Sequence, residues 1–148
     1  MRSGSTYVTG IGGVFFKVND PEQFRAWYKK HLGIRASASG ANFFWRKSDD
    51  PQSFARTVWT PFPQNSDYFG PGAQQIMINY RVRELDALLN KLTAAGVEQV
   101  GKVEEYWYGR FAWIIDGEGN RVELWEPVDL SPDEFERRLE QQQKQRDE

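Results

Sequence analysis

Glu123 is the residue whose type and setting best suit it to chemistry, a single carboxylate in the run Arg121-Val122-Glu123-Leu124-Trp125-Glu126-Pro127. If aromatic neighbours desolvate it, its pKa rises and it can act as a general acid or base near neutral pH. Alternatively it pairs with Arg81 or Arg121 and only holds a sheet together. Those two arginines have a second reading of their own, since guanidinium geometry suits a substrate carboxylate or phosphate, whereas strand-end arginines are often simply solvated. Trp59 and Trp125 either sandwich a planar ligand or pack structural units together. Tyr106-Trp107-Tyr108 before Gly109 reads as a cleft lid, a dimer contact or a packed strand start. The absence of cysteine excludes thiol catalysis and Cys-ligated zinc, and the sole histidine, His31, lies at the end of the first predicted helix.

These residues sit in a chain of 148, long enough for one domain with its own core. Residues 1–132 carry fifteen basic and fifteen acidic groups, and residues 133–148 carry four and six. A neutral body argues against nucleic-acid partners, which require clustered Lys and Arg, and against a membrane-surface role. No apolar run reaches membrane-spanning length. Without cysteines or a secretory leader, the expected localisation is cytoplasmic. Aromatic content is 15%, with six Trp, which suits either a dense core or the lining of a small-molecule cavity.

Alternation predicts a strand over Gly10 to Asn19, and Asp20-Pro21-Glu22-Gln23 then supplies an N-cap, a first-turn proline and a capping-box partner. Phe24, Trp27, Tyr28 and Leu32 give the helical stripe, and Gly33 ends it. Strands are expected near Arg35–Ser39, Asn42–Lys47 and Ala55–Thr60 before a Pro- and Gly-rich connection. The order then repeats, with a strand at Gln75–Arg81, a helix carrying Leu85, Leu88, Leu89 and Leu92, and strands at Val97–Val103, Trp107–Ile115 and Arg121–Glu126.

The two halves also match in sequence. Thr57-Val58-Trp59-Thr60-Pro61 aligns with Glu123-Leu124-Trp125-Glu126-Pro127 at an offset of 66, and Gly13 aligns with Met77 at an offset of 64. A nearly constant offset is the mark of an internal duplication. The expected organisation is a single domain over 1–132, with module 8–61 and module 74–128 joined by loop 62–73. Residues 133–148 form a C-terminal helix, capped by Ser131-Pro132-Asp133-Glu134 and running to about Leu139, and then a polar tail expected to be disordered.

Together Gly10-Ile11-Gly12-Gly13-Val14-Phe15-Phe16 before Asp20-Pro21, Ala26-Trp27-Tyr28 with Leu32-Gly33, Leu85-Asp86-Ala87-Leu88 with Ala94-Ala95-Gly96-Val97, and the run Asp116 to Pro127 resemble the vicinal oxygen chelate superfamily. That group contains glyoxalase I, methylmalonyl-CoA epimerase, extradiol dioxygenases, and fosfomycin- and bleomycin-resistance proteins. The resemblance implies an α+β fold of two βαββ modules, forming a cup-shaped eight-stranded mixed sheet, usually in a homodimer. It also implies four His, Glu or Gln metal ligands, one on the first and one on the last strand of each module. The matching positions here are Gly13, Thr57, Met77 and Glu123, of which only Glu123 is a credible ligand. No cofactor is therefore expected, and a divalent metal would have one carboxylate and water to hold it.

Counting alternate residues from those positions gives a cleft set of Phe15, Lys17, Ala55, Thr57, Trp59, Gln75, Met77, Asn79, Arg81, Arg121, Glu123 and Trp125, with Val14, Phe16, Val18, Ile76, Ile78, Val122 and Leu124 turned outward. On two strands the parity is open: either Trp45, Phe111 and Trp113 face the cleft, or Phe44, Arg46, Arg110 and Ala112 do. The leading functional expectation is a metal-free cleft that binds a small hydrophobic or aromatic molecule through Phe15, Thr57, Trp59, Met77, Asn79, Arg81, Arg121 and Trp125, in the manner implied by bleomycin-resistance proteins. The alternative is a lyase- or isomerase-type enzyme acting on a small oxygenated substrate, with Glu123 as acid/base or as a metal ligand. A non-catalytic partner module is a third reading.

Overall fold

The computed structural model describes residues 7–147. In the first half β1 (Val8–Val18) leads into α1 (Pro21–Leu32), then β2 (Ala41–Arg46) and β3 (Phe54–Pro63). The second half runs β4 (Ile76–Val82), α2 (Leu85–Ala94), β5 (Gln99–Tyr106), β6 (Gly109–Ile115) and β7 (Arg121–Pro127), and α3 (Pro132–Asp147) follows. The first helix begins and ends as its sequence dictates: Asp20 Oδ1 accepts the Gln23 N–H at 3.1 Å, and Gly33, at φ 71°, takes the left-handed conformation that closes the last turn. The second helix has no side-chain cap of its own. Instead Glu126, from β7, accepts the Leu85 N–H at 2.9 Å, so a tertiary contact supplies what the local sequence lacks.

Seven strands form one mixed sheet in the order β2-β3-β1-β4-β7-β6-β5. β1 and β4 pair antiparallel at the centre, and each pairs in parallel with the last strand of its own half, β3 and β7 respectively. This arrangement is a pseudo-two-fold about the β1/β4 seam. The α+β class is as expected, but the described residues form seven strands and not the expected eight. The segment expected to provide the eighth, Arg35–Ser39, makes only an isolated bridge between Ser37 and Gly40. Its polar groups close on themselves, with Ser37 N–H donating to the Gly40 carbonyl at 3.1 Å and Gly40 N–H to the Ser37 carbonyl at 2.9 Å, leaving little to pair with β2.

The sheet buries a different chemistry on each side. Under α2, Leu85, Leu88 and Leu89 pack on Val82, Ala112, Val122 and Leu124. Under α1, Phe24 and Tyr28 pack on Phe16 and Trp59, with Phe24 and Trp59 ring centroids 5.9 Å apart. On the opposite side Phe15, Phe69, Met77, Phe111, Trp113 and Trp125 form an aromatic cluster. No helix among the described residues is long and apolar enough to cross a membrane.

The third helix runs well past Leu139, through residues whose composition predicted a disordered end. Ser131 and Glu134 form the expected capping box, each bond 3.2 Å long. Beyond the cap, tertiary contacts hold it: Phe135 is buried between Phe44 and Trp107, and Trp107 Nε1 donates to Gln142 Oε1 at 3.1 Å. Phe135→Ala should therefore undock the helix at a cost of roughly 3 kcal/mol. Limited trypsin digestion would show Arg137 and Arg138 becoming cleavable while the sheet keeps its circular dichroism.

Candidate functional site

Register decides which side chains share the cleft. Gly13 stands opposite Val58 on β3 and opposite Asn79 on β4, and Asn79 stands opposite Glu123 on β7. These pairings set Val58, Gly13, Asn79 and Glu123 in one row across the sheet. The sequence match that aligned Thr57 with Glu123, and Trp59 with Trp125, does not extend to the faces of the sheet: Glu123 and Trp125 line the cleft, and Thr57 and Trp59 do not. Arg56, Val58, Thr60 and Phe62 line the cleft, while Trp59 lies under α1 against Phe16, Phe24 and Tyr28. Thr57 is likewise engaged in the scaffold, donating its hydroxyl to the Ile11 carbonyl at 2.7 Å and accepting from Trp45 Nε1 at 3.0 Å.

The open parity of the two remaining strands is also resolved. On β6, Phe111 and Trp113 face the cleft, whereas Ala112 is in the core beneath α2 and Arg110 pairs with Asp86 of α2 at 2.8 Å. On β2, Asn42 lines the cleft, Phe44 packs on Phe135, and Trp45 lies against the Arg81 guanidinium.

The cleft has a volume of about 1040 Å³ and combines the sheet face opposite α1 and α2 with the β5–β6 turn and α3. Glu123 lies on its floor, 2% exposed. One oxygen, Oε2, accepts from Trp113 Nε1 at 2.9 Å and from the Tyr68 hydroxyl, and the other, Oε1, accepts from Asn79 Nδ2 at 2.5 Å. Burial raises its pKa above the ordinary value of 4.5, and the three hydrogen bonds pull the other way without cancelling that rise. Burial and the neighbouring Glu123 charge also push the Tyr68 phenol up, keeping it a proton donor at neutral pH.

Space for this arrangement comes from Gly12. A Cβ there would collide with Asn79 Oδ1 and lie 2.9 Å from both Arg81 Cγ and Trp125 Cε3. Asn79 Oδ1 is itself buried without a hydrogen-bond partner. Turning the Asn79 amide over would present that oxygen to a protonated Glu123, so the pair can accommodate either charge state.

The remaining expected site residues fall into distinct roles. Phe15 lines the cleft, while Met77, fully buried, packs in the aromatic cluster of which Phe15 is also part. Arg81, expected as a clamp, is 2% exposed and bound to both Asp129 oxygens at 2.7 Å, with Trp45 and Trp125 each 5.4 Å from its guanidinium. Arg121 donates to the Tyr68 carbonyl at 3.3 Å and holds the loop that carries Tyr68. Neither arginine pairs with Glu123. Trp125 stacks on Phe111, the planes 6° apart, and its indole N–H donates to the Tyr108 carbonyl at 3.0 Å.

Two residues of the site were not anticipated. Tyr68 sits in the connection between the halves, where the one available signal was an aromatic pair, Tyr68-Phe69, in otherwise polar sequence. Arg56 was hidden by the displaced parity. Its guanidinium lies 4.9 Å from the Trp125 ring and 4.3 Å from the Phe135 ring, with Nη1 donating to Asn42 Oδ1 at 2.6 Å. Desolvation, and next the nearby Arg81 charge, lower its pKa to about 10, which leaves it cationic at neutral pH.

The donor set does not suit a divalent cation. The expected ligand positions Gly13, Thr57, Met77 and Glu123 supply one carboxylate, Asn79 beside it adds only an amide, and both carboxylate oxygens already accept from protein donors. Among the described residues no group of three His, Cys, Asp or Glu could hold a metal ion.

A family model described as a glyoxalase-like domain matches residues 13–125. The chain belongs to this glyoxalase-like family. No curated protein is significantly similar to it in sequence. Among solved structures, methylmalonyl-CoA epimerase from Mycobacterium tuberculosis is 26% identical with a TM-score of 0.53, covering 86% of this chain and 93% of that one. The Streptomyces coelicolor variant bound to 2-nitronate-propionyl-CoA is 14% identical with a TM-score of 0.61, covering 84% and 99%, a likeness of fold alone. These findings place the glyoxalase-like chain in the vicinal oxygen chelate superfamily.

Because Trp113 donates directly to Glu123, its emission should report protonation of that carboxylate. A fluorescence titration should show a transition above pH 4.5 that disappears in Glu123→Gln. A raised carboxyl pKa means the folded state holds the proton more tightly than the unfolded chain does, so this group's contribution to stability is full at low pH and falls as pH rises through the raised value. Glu123→Gln should accordingly raise Tm relative to the parent at pH 8 more than at pH 4, measured by calorimetry.

Proposed function

We propose that the chain binds a small apolar or aromatic molecule in the cleft above Glu123, independently of any metal ion. The observation that carries this reading is the pairing of an aromatic floor, Phe111, Trp113 and Trp125, with a single carboxylate whose oxygens are already engaged. An apolar pocket with a few converging polar groups is the usual form of a small-molecule site, and its volume of about 1040 Å³ suffices for a drug-sized ligand. The aromatic walls supply affinity through desolvation, and Tyr68, Asn79 and Glu123 supply the polar features that orient a ligand.

One observation favours a second reading, isomerase-type chemistry: the proton affinity of Glu123 is raised at a site in a chain 26% identical to an epimerase. Epimerisation needs a base that removes a proton from carbon and an acid that returns one. Glu123 would take that proton at Oε1, where Asn79 is the one donor, while Tyr68 and Trp113 hold Oε2 in place.

Nile red, a neutral apolar dye, should brighten on binding the parent protein, and Val58→Trp, which fills the cleft from β3, should abolish the response. Dye fluorescence unchanged by that substitution would overturn the binding reading. Methylmalonyl-CoA incubated with the protein in D2O should gain no deuterium by mass spectrometry. Incorporation that Glu123→Gln removes would put the isomerase reading first.

A further inference from the structure

Arg56 differs from the other arginines held by the sheet. Arg81 is bound to Asp129, Arg110 to Asp86, Glu105 and Glu126, and Arg46 and Arg121 each to a carbonyl outside the cleft's open edge. Arg56 forms no ion pair within 4.0 Å among the described residues, although it sits in a half-buried position on the cleft wall. Nη1 is committed to Asn42, and Trp125 and Phe135 flank the guanidinium. Its Nε and Nη2 donate to no protein group, and they are not among the fully buried polar atoms, in contrast to Arg81 Nε and Nη1. One donor edge of a cation held by aromatic rings is therefore open to the cleft.

From this geometry we infer that Arg56 is an oxyanion clamp that selects ligands carrying a carboxylate, a role that rests on the cleft being the binding site. Two parallel N–H donors along one guanidinium edge match the two oxygens of a carboxylate. The rings of Trp125 and Phe135 restrict the guanidinium's motion, so little rotamer freedom is left to lose on binding. They also put an apolar surface beside the charge. The ligand class is thus an aromatic or apolar acid, with its carboxylate at Arg56 and its apolar body on the cleft wall that includes Trp125 and Phe111.

Isothermal titration with benzoate and with benzamide, which share a ring and differ in charge, tests the clamp. The parent protein should prefer benzoate by roughly tenfold to a hundredfold, the range expected for hydrogen bonds to a charged group. Arg56→Gln should lower benzoate affinity to the benzamide level and leave benzamide unaffected, with circular dichroism reporting an intact fold. Arg56→Lys should recover part of the preference, because it restores charge without the fork. Equal affinity for the two probes, or benzoate binding that survives Arg56→Gln, would overturn the clamp. So would tighter binding of phenyl phosphate than of benzoate, or a failure of benzoate to bind while Nile red still does. Loss of Nile red binding as well would remove the cleft reading and the clamp together.

Discussion

The site depends on burying a carboxylate in an aromatic floor. Removing a carboxylate from water costs several kcal/mol even after relaxation. The protein offsets this with three donors drawn from three separate elements, Tyr68 in the inter-module connection, Asn79 on β4 and Trp113 on β6. Hydrogen bonds to a charged group contribute roughly 1.5–3 kcal/mol each, similar in size to the opposing desolvation. The balance is close enough that Glu123 retains a raised proton affinity instead of becoming an inert ion. Much of the local architecture serves that balance. Gly12 leaves room for Asn79, and Arg121 holds the Tyr68 loop from beneath.

The two halves share an order of elements and a strand pairing, yet they present different residues to the cleft. Val58, Gly13, Asn79 and Glu123 lie in one row across the sheet, with the carboxylate and the amide both on the second half's strands. The second half contributes the buried carboxylate with Asn79 and Trp113, and the first half contributes Gly12, the apolar Val58 and the cation Arg56 with Asn42. Their edges differ as well. In the second half β5 completes the sheet, whereas the turn at Ser37–Gly40 leaves the first half one strand short, and residues 37–40 line the cleft at that end.

Elements were legible where a local rule governed them. The caps at Asp20 and Ser131, the glycine at 33 and the leucine stripe of α2 all mark the elements found. The faces of β3 were not legible because Thr57-Val58-Trp59-Thr60-Pro61 resembles Glu123-Leu124-Trp125-Glu126-Pro127 in sequence, yet Thr57 and Trp59 lie on the face of the sheet away from the cleft that Glu123 and Trp125 line. β1 carries register shifts between Val8 and Gly10 and between Ile11 and Gly13, beside the glycines that make room for Trp45, Arg81 and Trp125. Irregularity of that kind belongs to strand pairing, which a single strand's alternation cannot encode. Tyr68 escaped for a related reason, since its role depends on where a loop lands. The extent of α3 did too, because its final turns are fixed by Trp107 and not by a hydrophobic stripe.

The segment after β7 explains why the arginines on the two sides of Trp125 differ. Both guanidiniums lie within 5.4 Å of that ring, Arg81 at 5.4 Å and Arg56 at 4.9 Å. Asp129, two residues beyond the strand, neutralises Arg81 and also meets Lys47 at 2.6 Å. The chain then turns through the Ser131 cap into α3, which brings a phenyl ring, Phe135, to Arg56 instead of a second carboxylate. An aromatic face attracts a guanidinium without occupying its in-plane donors, whereas a carboxylate would consume them. A single short connection thereby neutralises Arg81 and leaves Arg56 without a carboxylate partner, so a chain of net charge −2 keeps a localised positive edge on its cleft wall.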